Sequence, residues 1–342
     1  MKRKYYIGII GCGAILARHI EAIQANPKHF ELAAVCDIDK DRVGQAAKKN
    51  TVPGFTDYKE MLKALKGKLN LITIATPNSL HYDMAINSLE QGYDVLIEKP
   101  IDFDNKRIFQ IAVRAQELGK QAYAVLQVRY NPTVKILQEA LQKNYLGDIR
   151  IVDFIQRWQR PYSYFEGWRG QNGIGGGTLY ECGIHYLDII QLLFGVPTIK
   201  STSVFTHKHK HVDIEDTILS IVEYPYGASG FIEVTIASEP SNLECSLSIL
   251  GSKGFVKIGG HALDKVEQAL FEEEKIQKKW DKLEKKYGKA IQPNSYGTHI
   301  GSCPNHPTLY AELAAGHGFT VDEALNSIKF IQDIYQKDGV KY

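Results

Sequence analysis

The chain has 342 residues, with 41 Lys and Arg against 39 Asp and Glu, so its formal net charge is only +2. That length favours two domains over one core, and the balanced charge, with no polybasic tail, gives no reason to expect nucleic-acid or membrane-surface partners. Five scattered cysteines (Cys12, Cys36, Cys182, Cys245 and Cys303), never in a C-x-x-C pair, argue against a disulfide framework or zinc site; a reducing cytoplasmic setting and a small-molecule ligand fit best.

Met1-Lys2-Arg3-Lys4 runs straight into the apolar strand Tyr5 to Ile10, and a glycine turn interrupts it before a signal-length segment forms. No stretch approaches the roughly 20 apolar residues needed to span a bilayer. Further strands are predicted at Leu32 to Cys36, Leu71 to Ala75, Asp94 to Ile97 and Gln121 to Leu126. Between them, Ala14 to Gln24, Lys40 to Lys49, Tyr58 to Leu65, His81 to Gln91 and Asn105 to Leu118 carry apolar residues at helical spacing. This alternation predicts a doubly wound parallel sheet covered by helices, in a first domain of residues 1–123.

Gly11-Cys12-Gly13 lies between the first strand and the first helix, where glycine lets a pyrophosphate approach the backbone and the helix N-terminus meets its charge. Asp37, 24 residues beyond Gly13, ends the second strand, where a carboxylate accepts from ribose hydroxyls and repels a 2′-phosphate. NAD is therefore expected over NADP, in a Rossmann domain. The third position of the glycine fingerprint is Leu16, which implies a looser helix-to-strand contact. Thr76-Pro77-Asn78 and Glu98-Lys99-Pro100 follow two further strands, at the carboxyl ends where open α/β sheets bind ligands. Proline after Lys99 holds that residue's backbone extended.

After Asn131-Pro132 a helix, Thr133 to Lys143, leads into strands near Ile149 to Gln159, Ile199 to Thr206, Thr217 to Tyr224, Gly230 to Ala237, Leu243 to Leu250 and Gly254 to Ile258. Turns such as Pro225-Tyr226-Gly227 predict an α+β domain, residues 124–342, with a large, mainly antiparallel open sheet. Its uncovered face calls for a second copy, so a homo-oligomer, dimer or tetramer, is expected. Gly177 to Phe194 reads as a helix that puts Glu181 and His185, four apart, on one face. The glycines Gly175 to Gly177 before it would let it crowd against a ligand. His207-Lys208-His209-Lys210-His211 could chelate a metal if it were a strand, but the intervening lysines favour a solvated strand end or loop, and no metal is expected. Glu272 to Lys289 reads as a solvated helix with one buried stripe, and Thr320 to Tyr335 as a helix opened by a capping box.

Through Gly8-Ile9-Ile10-Gly11-Cys12-Gly13, Thr76-Pro77-Asn78 with His81, Glu98-Lys99-Pro100, and Gly175-Gly176-Gly177 through Glu181, His185 and Asp188, the sequence resembles the Gfo/Idh/MocA oxidoreductase family over nearly its full length. The resemblance implies an NAD-dependent dehydrogenase of secondary hydroxyls. It implies a cofactor site of Gly11, Gly13, Ala14, Ile15, Asp37, Thr76, Pro77, Asn78, His81, Glu98, Lys99 and Gln127. It further implies that His185 is the general base for the hydroxyl proton, while Lys99 donates to the developing alkoxide and contacts the nicotinamide ribose. Glu181 is the third candidate catalytic residue, standing where the family commonly has aspartate; its extra methylene moves the carboxylate by about a bond length.

Val128-Arg129-Tyr130-Asn131-Pro132, Glu166-Gly167-Trp168-Arg169-Gly170 and Asn305-His306-Pro307 with Leu309-Tyr310 are similar to the branch that oxidises the 3-hydroxyl of UDP-N-acetylglucosaminuronate for surface-polysaccharide sugar biosynthesis. That likeness implies substrate contacts from Arg129, Tyr130, Trp168, Arg169, His185 and His306. Arginine suits forked contacts with carboxylate or phosphate and the aromatics suit ring stacking; the structural alternative is an internal salt bridge and core aromatics. The same branch implies 2-oxoglutarate as a second substrate that recycles NADH. The alternatives are a dehydrogenase of a free sugar or inositol and, outside enzymes, a non-catalytic dinucleotide sensor.

Overall fold

A computed structural model describes residues 3–171, 174–288, 290–295 and 300–339. The first two residues of the basic opening, and Lys289 at the end of the charged helix, lie outside the described residues. The chain forms two compact units, Met1–Leu126 with Asn305–Leu325, and Gln127–Pro304 with Asn326–Tyr342. The segment Asn305–Leu325, which sequence order assigns to the second domain, belongs to the first unit.

In the first unit, strands β1 (Tyr5–Ile10), β2 (Phe30–Cys36), β3 (Gly54–Phe55), β4 (Leu71–Ile74), β5 (Asp94–Ile97) and β6 (Ala122–Ala124) form one sheet in the order β3-β2-β1-β4-β5-β6. Every pairing is parallel. The two-residue β3 was not predicted, being too short to show a pattern. Helices α1 (Leu16–Ala25), α2 (Lys40–Asn50), α3 (Tyr58–Ala64), α4 (His81–Glu90) and α5 (Asn105–Glu117) connect the strands. Apolar faces decide their placement: in α5, Ile108, Ile111 and Ala115 are buried at helical spacing, and Asp104 caps it by accepting the Lys106 amide. The strand order reverses between β1 and β4, which defines the ligand crevice of a Rossmann sheet.

The second unit opens with α6 (Pro132–Gln142) and builds a sheet from β7 (Ile149–Arg157), β8 (Thr198–Phe205), β9 (Thr217–Glu223), β10 (Ser229–Thr235), β11 (Glu244–Gly251), β12 (Gly254–Gly259) and β13 (Lys265–Phe271). The order is β13-β12-β11-β7-β10-β9-β8, and only β7 and β10 pair in parallel. β13 went unpredicted because Lys265, Glu267 and Gln268 make it more polar than its neighbours. The period of two sorts the side chains: Ile218, Ser220 and Val222 are buried on one face of β9, while Leu219 and Ile221 point to the other, where Ile221 is 56% exposed. Helix α7 (Ile184–Phe194) is buried almost all round and α8 (Glu274–Tyr287) buries Trp280 and Leu283.

Helix α9 (His306–Ala315) packs on α1 in the first unit. The predicted capping box is present, with Thr320 and Glu323 opening a 3-10 turn ahead of α10 (Leu325–Lys337). All five cysteines are free thiols. Among the described residues, no helix is long and apolar enough to cross a membrane.

Candidate active site

β1 delivers the chain to Gly11 at φ +106°, a conformation that side chains rarely adopt, and a Cβ there would stand 2.2 Å from the Ala75 carbonyl oxygen. Glycine at 11 is thus demanded by the protein itself. Gly13 differs: a Cβ there would meet nothing within 4 Å, so that side of the turn is open. Ala14 is exposed and Ile15 half-buried. Helix α1 begins after them with no side-chain cap and no acidic residue in its first turn, which leaves its amides and positive dipole end available to an anion. Leu16 is buried, so the larger residue at the third fingerprint position fits within the core.

Asp37 holds this corner together. Its two oxygens accept the backbone amides of Cys12 (2.7 Å) and Asp39 (2.9 Å). A carboxylate has about four acceptor sites, so it retains capacity for ribose hydroxyls. The open glycine turn, uncapped helix and acidic strand end fit NAD.

Thr76 and Pro77 follow β4 half-buried, and Asn78 is buried at the start of a 3-10 turn. His81 is buried beneath them, with Nδ1 2.8 Å from the Pro100 carbonyl and Nε2 3.0 Å from that of Thr76. It braces the loops after β4 and β5 against each other. Burial lowers its pKa despite both carbonyls.

Glu98 follows β5 and faces the interior. His19 Nε2 lies 3.1 Å from its Oε1 and His19 Nδ1 lies 3.0 Å from the Tyr310 hydroxyl. His19 thus links the Glu98 carboxylate to the Tyr310 hydroxyl through its two ring nitrogens. His306 Nε2 stands 3.6 Å from the same Glu98 oxygen. Burial works to raise the Glu98 pKa, but His19 and His306 outweigh it and hold the carboxyl well below its usual range. These three residues are the one set of metal-ligand side chains clustered among the described residues; both nitrogens of His19 are already engaged, and the set reads as a polar network under the sheet's end. Glu98 Oε2 accepts the Lys99 amide at 3.1 Å, so the network fixes the backbone from which half-buried Lys99 projects.

His306, expected to touch substrate, is 1% exposed within the first unit. Its imidazole stands beside Glu98, on a helix, α9, that packs on α1.

In the second unit Gln127 is buried and donates to Ser302 at 3.2 Å. Arg129 is also buried, and Nε and Nη2 each reach an oxygen of Asp188 at 2.8 Å. Ser327 and Gln191 donate to the same carboxylate. Arg129 is a structural salt bridge rather than an open anion ligand, because Asp188 already occupies its fork. Tyr130 is half-buried, with the Lys135 ammonium 5.2 Å from its ring centre.

Gly176 and Gly177 adopt φ +79° and +75°, and a Cβ on Gly175 would lie 2.1 Å from the Arg169 carbonyl oxygen. The glycines thus serve a left-handed entry and a close backbone approach, where the sequence suggested crowding against a ligand. The expected helix from Gly177 to Phe194 forms without a break, and it contains a π-helical turn, Leu179–Gly183, that leads into α7. π-turns inside helices occur frequently at functional sites. This one carries Glu181, and His185 follows in the first turn of α7; both are buried. Arg169 Nε is 3.6 Å from Glu181 Oε2, and its guanidinium lies over Trp168 (4.5 Å) and Tyr164 (5.0 Å). Arg169, Trp168, Tyr164 and Glu181 form one charged, aromatic-lined cluster.

The His207–His211 stretch is a loop after β8, but it is not simply solvated. His209 is buried with Nε2 3.1 Å from the Arg160 carbonyl, whereas His207 and His211 are exposed; the His209 and His211 rings both stand against Tyr162, and His207 stacks on Phe205 instead. Asp216 accepts the amides of His207, Lys208 and His209 and folds the loop around itself.

Sequence reasoning missed Tyr164, His19, Glu215 and Tyr335. Tyr164 lies four residues before Trp168, close to a motif that was read; the others meet their partners only across long chain separations.

A Rossmann unit with an NAD-fitting turn, joined to a sheet unit that bears a buried histidine and carboxylate, defines an NAD-binding oxidoreductase. Residues 5–126 match the oxidoreductase family's NAD-binding Rossmann fold and residues 134–257 match the GFO/IDH/MocA C-terminal domain; the chain belongs to the Gfo/Idh/MocA family and is an NAD-dependent dehydrogenase. The structure is similar to that of the WlbA dehydrogenase from Bordetella pertussis in complex with NADH and UDP-GlcNAcA, with a TM-score of 0.86 and 27% identity, covering 98% of this chain and 96% of that one. Sequence relatives include trans-1,2-dihydrobenzene-1,2-diol dehydrogenase of Bos taurus, 26% identical over 73% of each chain. D-glucoside 3-dehydrogenase of Escherichia coli is 24% identical over 68% of this chain and 70% of its own.

Proposed function

We propose that the protein oxidises a secondary hydroxyl of a nucleotide sugar to a ketone, acting on the 3-hydroxyl of UDP-N-acetylglucosaminuronate or a related UDP-N-acetylhexosamine in surface-polysaccharide sugar biosynthesis. The observation that carries this reading is the near full-length likeness to the WlbA complex with NADH and UDP-GlcNAcA. His185 takes the hydroxyl proton as general base, and Lys99 donates a hydrogen bond to the developing alkoxide. NAD, when bound, accepts the hydride. Arg169, partly exposed and flanked by Trp168, supplies the cation for a uronate or diphosphate, and Glu181 sets its position.

Purified protein incubated with NAD and UDP-N-acetylglucosaminuronate is expected to gain nicotinamide absorbance, with 2-oxoglutarate sustaining repeated turnover. UDP alone is expected to bind measurably by calorimetry. The likeness to D-glucoside 3-dehydrogenase favours a second reading, a dehydrogenase of a simple glycoside. Turnover of methyl glucoside with no affinity for UDP would establish that alternative, and cofactor binding without turnover of any sugar would make the protein a sensor.

The open face of the second sheet carries Ile151, Leu219, Ile221, Phe231 and Leu250. Exposed apolar side chains gathered on one sheet face are normally covered, and a second copy of the chain covers them in the proposed homo-oligomer. Sedimentation is expected to show a dimer or tetramer that Ile221→Lys dissociates; a wild-type monomer at micromolar concentration refutes it.

A further inference from the structure

We propose that Glu215 and Tyr335 are positioning residues that clamp the entry of the helical segment bearing Glu181 and His185. This rests on the reading of His185 as the base. The first amides of a helix have no partner within it, and here the segment is entered through two left-handed glycines, Gly176 and Gly177, with no side-chain cap from Thr178. Glycine at these two positions leaves the entry backbone permissive.

Two distant elements supply what the loop lacks. Glu215, just ahead of β9, accepts the Thr178 amide at 2.6 Å through Oε1, and its backbone carbonyl accepts the Thr178 hydroxyl at 2.7 Å. Tyr335, near the end of α10, accepts the Leu179 amide at 3.1 Å and donates its hydroxyl to the same Glu215 oxygen at 2.6 Å. All four residues are buried. The Tyr335 ring also stacks on Tyr180 with centres 5.9 Å apart, so the first three residues of the segment are each held from outside.

The wide π-turn sets the rotation of everything after it, and His185 comes immediately beyond. A slip at the clamp displaces the imidazole, and a displacement of about 1 Å at a catalytic group costs on the order of 100-fold in rate. Burial pushes the Glu215 carboxyl up to about 7, against the hydrogen bonds it accepts. A neutral glutamine, which keeps the acceptor oxygen, is therefore a faithful substitute.

The test compares Glu215→Ala, Glu215→Gln and Tyr335→Phe in the full-length protein. Steady-state kinetics are measured with UDP-N-acetylglucosaminuronate and NAD, together with NADH affinity and hydrogen exchange of the Thr178 and Leu179 amides. Glu215→Ala and Tyr335→Phe are expected to lower kcat by about 10- to 100-fold with KM and NADH affinity within about threefold of wild type. Glu215→Gln is expected to restore most of kcat, and exchange at the two amides is expected to quicken in the first two variants alone. Wild-type kcat in Tyr335→Phe, unchanged exchange, or a Glu215→Gln as impaired as Glu215→Ala overturns the clamp. If the wild-type chain turns over no sugar, the dehydrogenation reading fails separately, and amide exchange in Tyr335→Phe, which keeps the ring, still decides whether the clamp exists.

Discussion

His185→Ala is expected to lower turnover at least about 100-fold, the lower bound for losing a positioned general base, while NADH still binds. The expectation follows from the division of labour between the units. The open Gly13 turn, the uncapped α1 and Asp37 belong to the first unit, whereas His185 sits in the second, behind a π-turn that is buried throughout. Lys99→Ala is expected to fall at least as far, because the side chain that carries the ammonium is lost while the backbone stays tied to Glu98. Stopped-flow measurement of NADH formation at saturating substrate checks both. Undiminished hydride transfer in either variant removes that residue from the mechanism.

Arg129→Ala is expected to act on folding, not on substrate affinity. The guanidinium and the Asp188 carboxylate are both almost wholly buried and joined by two bonds of 2.8 Å. Removing one partner of such a pair leaves an uncompensated charge and costs about 3–5 kcal/mol. In a unit of this size that is a fall in melting temperature of roughly 10 °C. Replacing both partners with apolar residues, Arg129→Met with Asp188→Leu, is expected to recover much of the loss, since a well-packed apolar pair can match a buried ion pair. Calorimetric melting of the three variants checks this. An Arg129→Ala protein of wild-type stability with a greatly raised KM would instead make the residue a substrate ligand.

Arg129 and Arg169 show what could be read in advance. Both are arginines beside aromatics in motifs of one branch, and both suggest anion recognition. They separate because Asp188, 59 positions along the chain, fills the fork of Arg129, whereas Arg169 meets Glu181 at a looser 3.6 Å and stays partly exposed. His306 and Lys99 part in the same way. The histidine turns inward because α9 packs on α1 in the first unit, while the lysine follows a strand end whose neighbour, Glu98, takes the interior position.

The parallel sheet was legible because its strands and helices announce themselves through local periodicity, and the cofactor turn because glycine at 11 answers a backbone constraint visible as strand, turn and helix. Even the second sheet followed from its alternation, apart from the polar β13. Sequence alone therefore determined the fold class, the NAD-binding family and the residue types available for chemistry, because local periodicity marks each strand and helix. Tertiary structure alone decided that Asn305–Leu325 belongs to the first unit, that Arg129 is spent on Asp188, that His306 is buried beside Glu98, and that Glu215 and Tyr335 hold the entry to the His185 helix. Each of those outcomes depends on which partner reaches a polar group first in the folded chain, and a buried hydrogen bond between distant residues leaves no periodic mark on the sequence.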